Sequence, residues 1–412
     1  MNRLRFDFKK AALAAGILIM VTGLLMLARE VQRVSAAPKI VNSKNYPTLY
    51  KTINVDGLGI FYREAGPANA PTILLLHGFP TSSHMFRNLI SDLSDSYHLI
   101  APDYPGFGNS EQPAMDKFEY SFDNYSLLVE ELLAKLGIDS YSIYLMDYGA
   151  PIGFRIAAKH PDRVQSLIIQ NGNAYEEGLR EFWDPIKKYW QDRTAENAEP
   201  LKGFVSKEGV EWQFTHGVRN KEVISPDNWN LDMRHLTRAG NAAIQLQLFY
   251  DYQTNVPLYP SWQEYFRKYQ PPTLIVWGKN DVIFPADGAF PYKRDLKNLD
   301  FHLLDTGHFA LEEDGEVIAD YMRQFLSAHV PSVAEVESPK EILVKFKAGA
   351  DDRQIRAMQS EIGLEQIKTI PALNLRAFRI TSQKSLEAAI QACQRMSFVE
   401  YAEPNQQVRT QK

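Results

Sequence analysis

Cysteine is almost missing from this sequence: Cys393 is the only one in 412 residues. A single thiol excludes an intrachain disulfide and a cysteine-rich zinc site. Its spacing from Leu386, Ala389 and Ile390 is helical, so it reads as a core residue and not as a reactive one. Long basic runs are missing too, and 45 Lys+Arg against 50 Asp+Glu leave a net charge of −5. Nothing here can track a phosphate backbone, so nucleic acid is not an expected partner. The nine histidines show no ligand spacing, and neither a metal nor an organic cofactor is expected. There is no internal repeat and no low-complexity segment. No G-x-S-x-G occurs anywhere, which removes the usual serine nucleophile of strand–turn–helix hydrolases.

Hydrophobic residues at 45% and charged residues at 23% give an ordinary globular balance, and the length allows two or three units. Arg3, Arg5, Lys9 and Lys10 precede an uncharged apolar stretch from Ala11 to Ala28, and Val34-Ser35-Ala36 supplies small residues for cleavage. Residues 1–36 therefore read as a signal peptide or an N-terminal membrane anchor. The rest of the chain is expected to be exported, periplasmic or secreted, and to meet a membrane only through this segment.

From Pro47 to Val330, short apolar strands alternate with amphipathic helical stretches, the pattern of an α/β domain with a mostly parallel sheet. Segments 48–54 and 58–63 flank Asp56-Gly57 and predict an opening hairpin. Buried strands are predicted at Thr72–Leu76, His98–Ala101, Tyr141–Met146, Ser166–Gln170, Thr273–Trp277 and Phe301–Leu304. The helical stretch from about 173 to 262 interrupts the rhythm and carries five of the six tryptophans, as a cap inserted over a site would. Residues 331–340 read as a linker. Strands at Glu341–Lys347, Asn374–Ile380 and Phe398–Tyr401, with helices at Asp351–Ile362 and Ser385–Met396, suggest a small ferredoxin-like α+β module over 341–405. Residues 406–412 form a short tail.

Three motifs fall at strand ends, where open α/β sheets place their sites. HGFPTSS (His77–Ser83) lets the Phe79 amide turn into a cavity. Asp147-Tyr148-Gly149-Ala150 lies between a strand and a helical run, in nucleophile-elbow context with Asp in place of Ser. Asp281, in GKND, and His308, in DTGHFALEE, follow in the order nucleophile, acid, histidine. His77 reads as a structural ring beside the oxyanion loop.

Together, HGFPTSS, APDYPGFGNS, MDYGAPIGF, GKND and TGHFALEE give residues 48–330 a resemblance to the α/β-hydrolase branch that contains epoxide hydrolases and haloalkane dehalogenases. One departure is Leu145, where many elbows have Gly. The resemblance implies Asp147 as nucleophile, Asp281 and His308 as the water-activating pair, and the Phe79 and Tyr148 amides as oxyanion hole. A carboxylate suits displacement at an sp³ carbon, giving an alkyl ester that activated water then cleaves. Epoxide opening is the expected reaction on a small-molecule substrate. Dehalogenation by the same ester is the alternative, an ester or lactone hydrolase comes third because Asp is poorly suited to acyl transfer, and a ligand-binding homologue without turnover is a reading of another class. Epoxide hydrolases use two cap tyrosines to protonate the opening oxygen; Tyr189 and either Tyr250 or Tyr252 are the candidates here. Dehalogenases hold halide with side-chain N–H groups. Phe79 and Tyr148 have none, so Trp183 or Trp190 would have to supply a donor.

The tail module, from ILVKFK to VEYAEPN, resembles the prodomains of subtilisin-like proteases, of the fervidolysin type. That resemblance implies docking on a subtilisin-like protease through residues 341–405. The plainer alternative is a recycled domain that stabilises or positions the hydrolase.

Overall fold

The computed structural model describes residues 46–330, 341–382, 384 and 386–405. The signal or anchor segment (1–36), the linker (331–340) and the tail (406–412) lie outside the described residues. Among the described residues no helix is long and apolar enough to cross a membrane.

Eight strands form the main sheet: β1 (Leu49–Val55), β2 (Leu58–Ala65), β3 (Thr72–Leu76), β4 (His98–Pro102), β5 (Tyr141–Met146), β6 (Val164–Gln170), β7 (Thr273–Gly278) and β8 (Leu299–Leu304). Their order is β1-β2-β4-β3-β5-β6-β7-β8. The β1–β2 hairpin and the β2–β4 pair are antiparallel, and the remaining pairs are parallel. Continuous apolar runs become the central strands because both faces are covered: every residue of β3, β4, β5 and β7 is buried. Helices α1 (Arg87–Leu93), α2 (Phe122–Lys135) and α3 (Gly149–Lys159) come before the segment between β6 and β7. That segment carries α4 (Asp184–Gln191), α5 (Ala195–Ala198), α6 (Lys207–Thr215), α7 (Asp227–Leu236), α8 (Asn241–Asp251) and α9 (Tyr259–Tyr269). Then come α10 (Tyr292–Asp295) and the long α11 (Ala310–His329). α2, α3 and α9 pack together, with Trp262 of α9 against Phe154 of α3, and α1 packs against α11. An α/β-hydrolase arrangement results, as the motifs implied.

The C-terminal module has its own sheet and core. Strands β9 (Glu341–Phe346), β10 (Leu364–Ile370), β11 (Leu375–Ile380) and β12 (Val399–Pro404) pair antiparallel in the order β10-β11-β9-β12. With α12 (Asp352–Ile362) and α13 (Leu386–Gln394) this is a βαββαβ unit. The strand β10 was not legible in the sequence because residues 365–369 of this edge are all exposed and carry no apolar alternation. Cys393 is fully buried among Ile342, Phe378 and Ala389, and burial pushes its thiol up to about 11.

Leu145, the unusual elbow residue, has a structural counterpart. It is fully buried in β5, and a Cβ at Gly153 of α3 would lie 2.1 Å from its Cδ2. The bulk that the strand adds is accepted by the helix that follows. Gly153→Ala should therefore destabilise the protein by about 1–3 kcal/mol through overpacking. Urea unfolding of the single and double variants with Leu145→Ala should show this cost shrinking in the trimmed background. Additive costs would refute the pairing.

Candidate active site

Asp147 occupies the sharp turn between β5 and α3 with φ +49°. A non-glycine residue in this left-handed region costs about 1–3 kcal/mol and persists only where its surroundings enforce it. Two glycines make room. A Cβ at Gly149 would lie 2.2 Å from the Leu76 carbonyl oxygen, and one at Gly78 would lie 2.3 Å from Asp147 Cβ. The turn presents Asp147 Oδ1 to two backbone donors, Phe79 N–H at 2.7 Å and Tyr148 N–H at 2.6 Å. The two amides named from the motifs therefore converge on one carboxylate oxygen.

The other oxygen, Oδ2, faces His308 Nε2 at 3.7 Å. His308 Nδ1 donates to Asp281 Oδ2 at 2.7 Å. Asp281 Oδ1 in turn accepts from the Ile283 N–H at 2.7 Å, which fixes the carboxylate's rotation. Asp147, Asp281 and His308, far apart in sequence, meet at the carboxyl ends of β5, β7 and β8, all nearly fully buried. His308 Nε2 has no hydrogen-bond partner and faces Asp147 Oδ2.

One residue of this constellation escaped the sequence reading. Asn171, at the end of β6 with φ +44°, donates from Nδ2 to Asp281 Oδ2 at 2.8 Å. Its Oδ1 accepts from Gly278 N–H at 2.9 Å. The available signal was the amide-rich turn QNGN immediately after a buried strand. His77, by contrast, is locked as a neutral ring. Its Nδ1 lies 3.0 Å from the Gly78 carbonyl and its Nε2 accepts the Tyr104 N–H at 3.3 Å. Burial pushes it down to about 3, which suits a loop support and not a base.

Burial is the largest influence on Asp147 and raises its carboxyl from 3.8 to about 6, against the opposing pull of His308 and of the two amides. The ionised form thus carries a penalty of roughly 3 kcal/mol. Burial is also the largest single influence on His308, pulling it down. The Asp281 charge, its hydrogen bond and the Asp147 charge together outweigh it, and the imidazole ends above 6.5.

Of the five cap side chains singled out, three gather beside this centre. Tyr252 lies tilted against Trp183 at 4.5 Å between centroids, stacks with Trp190 at 6.2 Å, and approaches Tyr148 at 6.2 Å. Its hydroxyl lies beside that of Tyr259 without a well-formed hydrogen bond. Burial, with contributions from Tyr259 and the Asp147 charge, holds it well above 10. The expectation that a tryptophan offers a free N–H is corrected. Trp183 Nε1 donates to the Ile283 carbonyl and Trp190 Nε1 to the Phe249 carbonyl, each at 2.7 Å. Tyr189 and Tyr250 are not brought to the centre either. They pack on each other at 5.8 Å, Arg193 lies 4.4 Å over the Tyr250 ring, and Arg193 Nε donates to Tyr189 Oη at 3.2 Å. That arginine binds the Tyr189 oxygen on its acceptor side and holds the ring against Tyr250.

Because the Asp147 charge is one of the influences that raise His308, Asp147→Asn should lower the histidine's midpoint. Titrating the imidazole C–H resonances by NMR in wild type and variant checks this. A midpoint that stays or rises would contradict the 3.7 Å approach.

The profile of the alpha/beta hydrolase fold family matches residues 71–315, and that of the fervidolysin N-terminal prodomain matches residues 338–405. An uncharacterized hydrolase of Saccharomyces cerevisiae is 46% identical over 270 residues, which cover 64% of this chain and 92% of the yeast protein. A haloalkane dehalogenase of Mycolicibacterium paratuberculosis is 35% identical over 137 residues, 32% of this chain and 45% of that enzyme. Among solved structures, the epoxide hydrolase CorEH superposes with a TM-score of 0.58 at 20% identity, covering 68% of this chain and 99% of its own. With the family profile spanning more than half of the chain and a hydrolase matched at 46% identity over nearly its whole length, this chain belongs to the alpha/beta hydrolase fold family and is a hydrolase.

Proposed function

We propose that this hydrolase opens epoxides through a covalent ester on Asp147. The observation that carries the reading is the unequal seating of the two Asp147 oxygens. Oδ1 rests on two amide donors, while Oδ2 faces an unpartnered imidazole nitrogen across 3.7 Å. In the first half-reaction, the Oδ2 lone pair attacks a ring carbon and the C–O bond breaks toward the ring oxygen. That oxygen takes the Tyr252 hydroxyl proton. In the second, His308 removes a proton from water, and the hydroxide adds to the ester carbonyl carbon. The resulting oxyanion is Oδ1, held by the Phe79 and Tyr148 amides. Collapse releases the diol and the Asp147 carboxylate, and the proton on His308 returns to Tyr252. Asp281, anchored by Asn171 and the Ile283 amide, keeps the imidazole in the tautomer with Nε2 free.

Dehalogenation would proceed through the same ester. The engaged N–H groups of Trp183 and Trp190 weigh against it, since a halide would have to take them from backbone carbonyls. A binding protein without turnover would have little use for a histidine paired on one side and open on the other.

His308→Gln should accumulate the ester, because alkylation needs only Asp147 while hydrolysis needs the base. Adding Tyr252→Phe should slow its formation by about 10²-fold, within the range of general-acid contributions. Intact-mass spectra after mixing with a panel of epoxides and haloalkanes check both expectations. No adduct from any epoxide, with adducts from haloalkanes unaffected by Tyr252→Phe, would replace this reading with the dehalogenase one.

For the C-terminal module we propose a separable unit that docks on a subtilisin-like protease, as its resemblance to such prodomains suggests. Its own sheet and its own buried core support the separability. Truncation after Val330 should leave hydrolase activity unchanged, and residues 338–405 alone should slow a subtilisin-like protease. Loss of soluble protein on truncation, or degradation of the fragment without inhibition, would count against the respective half.

A further inference from the structure

Two polar side chains stand at the site ends of β5 and β6 where apolar packing would otherwise be expected. Tyr144 and Gln170 are both fully buried. Tyr144 Oη donates to Gln170 Oε1 at 2.5 Å, and Gln170 Nε2 donates to the His308 carbonyl at 3.0 Å. The amide's orientation follows from its partners: a backbone carbonyl only accepts, so the nitrogen must face His308 and the oxygen must face the phenol. Burial holds the Tyr144 hydroxyl well above 10, so it remains a donor.

Among the described residues, the hydrogen bonds that reach His308 are two. Asp281 holds the ring at Nδ1, and Gln170 holds the backbone at the carbonyl. The histidine loop has other packing anchors, since a Cβ at Gly307 would lie 2.0 Å from the His216 carbonyl oxygen. The nearby Thr306 hydroxyl has no partner, while the Thr306 carbonyl accepts from the Asn280 N–H at 3.1 Å and steadies the loop two residues before His308. Gln170 and its neighbour Asn171 thus divide the base between them, one bound to the His308 backbone and the other to the Asp281 carboxylate.

We propose that the Tyr144–Gln170 pair positions His308 for the water-activating half of the reaction and takes no part in the alkylation half. The inference rests on the assignment of Asp147 and His308 under the proposed function. Attack by Asp147 Oδ2 needs the elbow and its amides; the Gln170 backbone pairs with Met146 just before the elbow, but its side chain bonds to Tyr144 and His308 and not to Asp147 or the two amides. Proton removal from water needs Nε2 at one height above Asp147, and a shift of about 1 Å at such a centre can cost 10²-fold. Gln170 and Tyr144 are positioning residues, and their signature is a split between the two half-reactions.

The full-length protein with styrene oxide, quenched on the millisecond scale and read by intact mass, separates ester formation from ester decay. In Gln170→Leu and in Tyr144→Phe, which removes a single oxygen, formation should stay within about twofold of wild type. Decay should slow by about tenfold or more, so that the ester becomes visible at steady state. Parallel slowing of both steps would mean a merely structural role and overturn the proposal, as would unchanged decay in both variants. A second readout needs no substrate. The low-field Nδ1–H proton resonance of the His308–Asp281 bond, assigned by its loss in His308→Gln, should shift or broaden in both variants. An unchanged resonance in both overturns the positioning role whatever the substrate. Absence of any ester in wild type and His308→Gln, with a shifted resonance, overturns the epoxide reading and leaves the positioning of His308 supported.

Discussion

The interaction on which this site depends is the seating of Asp147 Oδ1 between two backbone N–H groups inside a buried core. A carboxylate moved from water into such a place would lose its charge unless something repaid it. Two charge-assisted bonds at 2.7 and 2.6 Å, each worth roughly 1.5–3 kcal/mol, repay part of that cost. The balance leaves the carboxyl at about 6. It is ionised near neutral pH yet more basic than a surface aspartate, a useful compromise for a nucleophile. The left-handed turn at Asp147 and the two glycines that permit it follow from the need to deliver one oxygen to those amides.

From that seating the division of labour between the oxygens follows. An oxygen bonded to two donors is a poor nucleophile and a good place for negative charge to develop. The unbonded oxygen is the reverse. His308, held open at Nε2, lies on the side of the free oxygen, where an incoming water would be activated. The end of β6 then acquires its meaning: Gln170 and Asn171 fasten the histidine and its acid from below, without touching the nucleophile.

Much of this was legible in the sequence, for stated physical reasons. Short apolar runs bounded by turn residues mark buried parallel strands, and all six predicted runs in the main domain became strands. Asp147, Asp281 and His308 could be named because each follows such a run, where a parallel sheet places its chemistry. What stayed hidden depended on side-chain partners that spacing does not encode. Gln170 read only as the last residue of a buried strand, Asn171 carried no reading, and nothing in the spacing of Tyr189 showed that it would pack on Tyr250 beneath Arg193. Both tryptophans in question looked like donors until backbone carbonyls took them. The edge strand β10 was invisible because an exposed edge has no need of an apolar pattern. Leu145 looked like a defect in the elbow, and only the missing side chain at Gly153 explains how it fits.

The donors that remain around Asp147 bear on which leaving group the site suits. Halide departs as a weak base, and what it asks of a protein is solvation by N–H groups, which here are already bound to the Ile283 and Phe249 carbonyls. A ring-opened epoxide departs as an alkoxide, a strong base that needs a proton and not merely a hydrogen bond. A buried phenol held well above its usual 10 is too weak an acid to transfer a proton to halide, yet it matches the basicity of an alkoxide closely enough to do so. The same burial that makes Tyr252 a reluctant acid keeps it protonated through the working range of Asp147 and His308. On the proposed reading, aromatic surroundings whose indoles are bound to backbone carbonyls, with the Tyr252 hydroxyl held neutral, therefore favour a strained oxygen ring over a carbon–halogen bond.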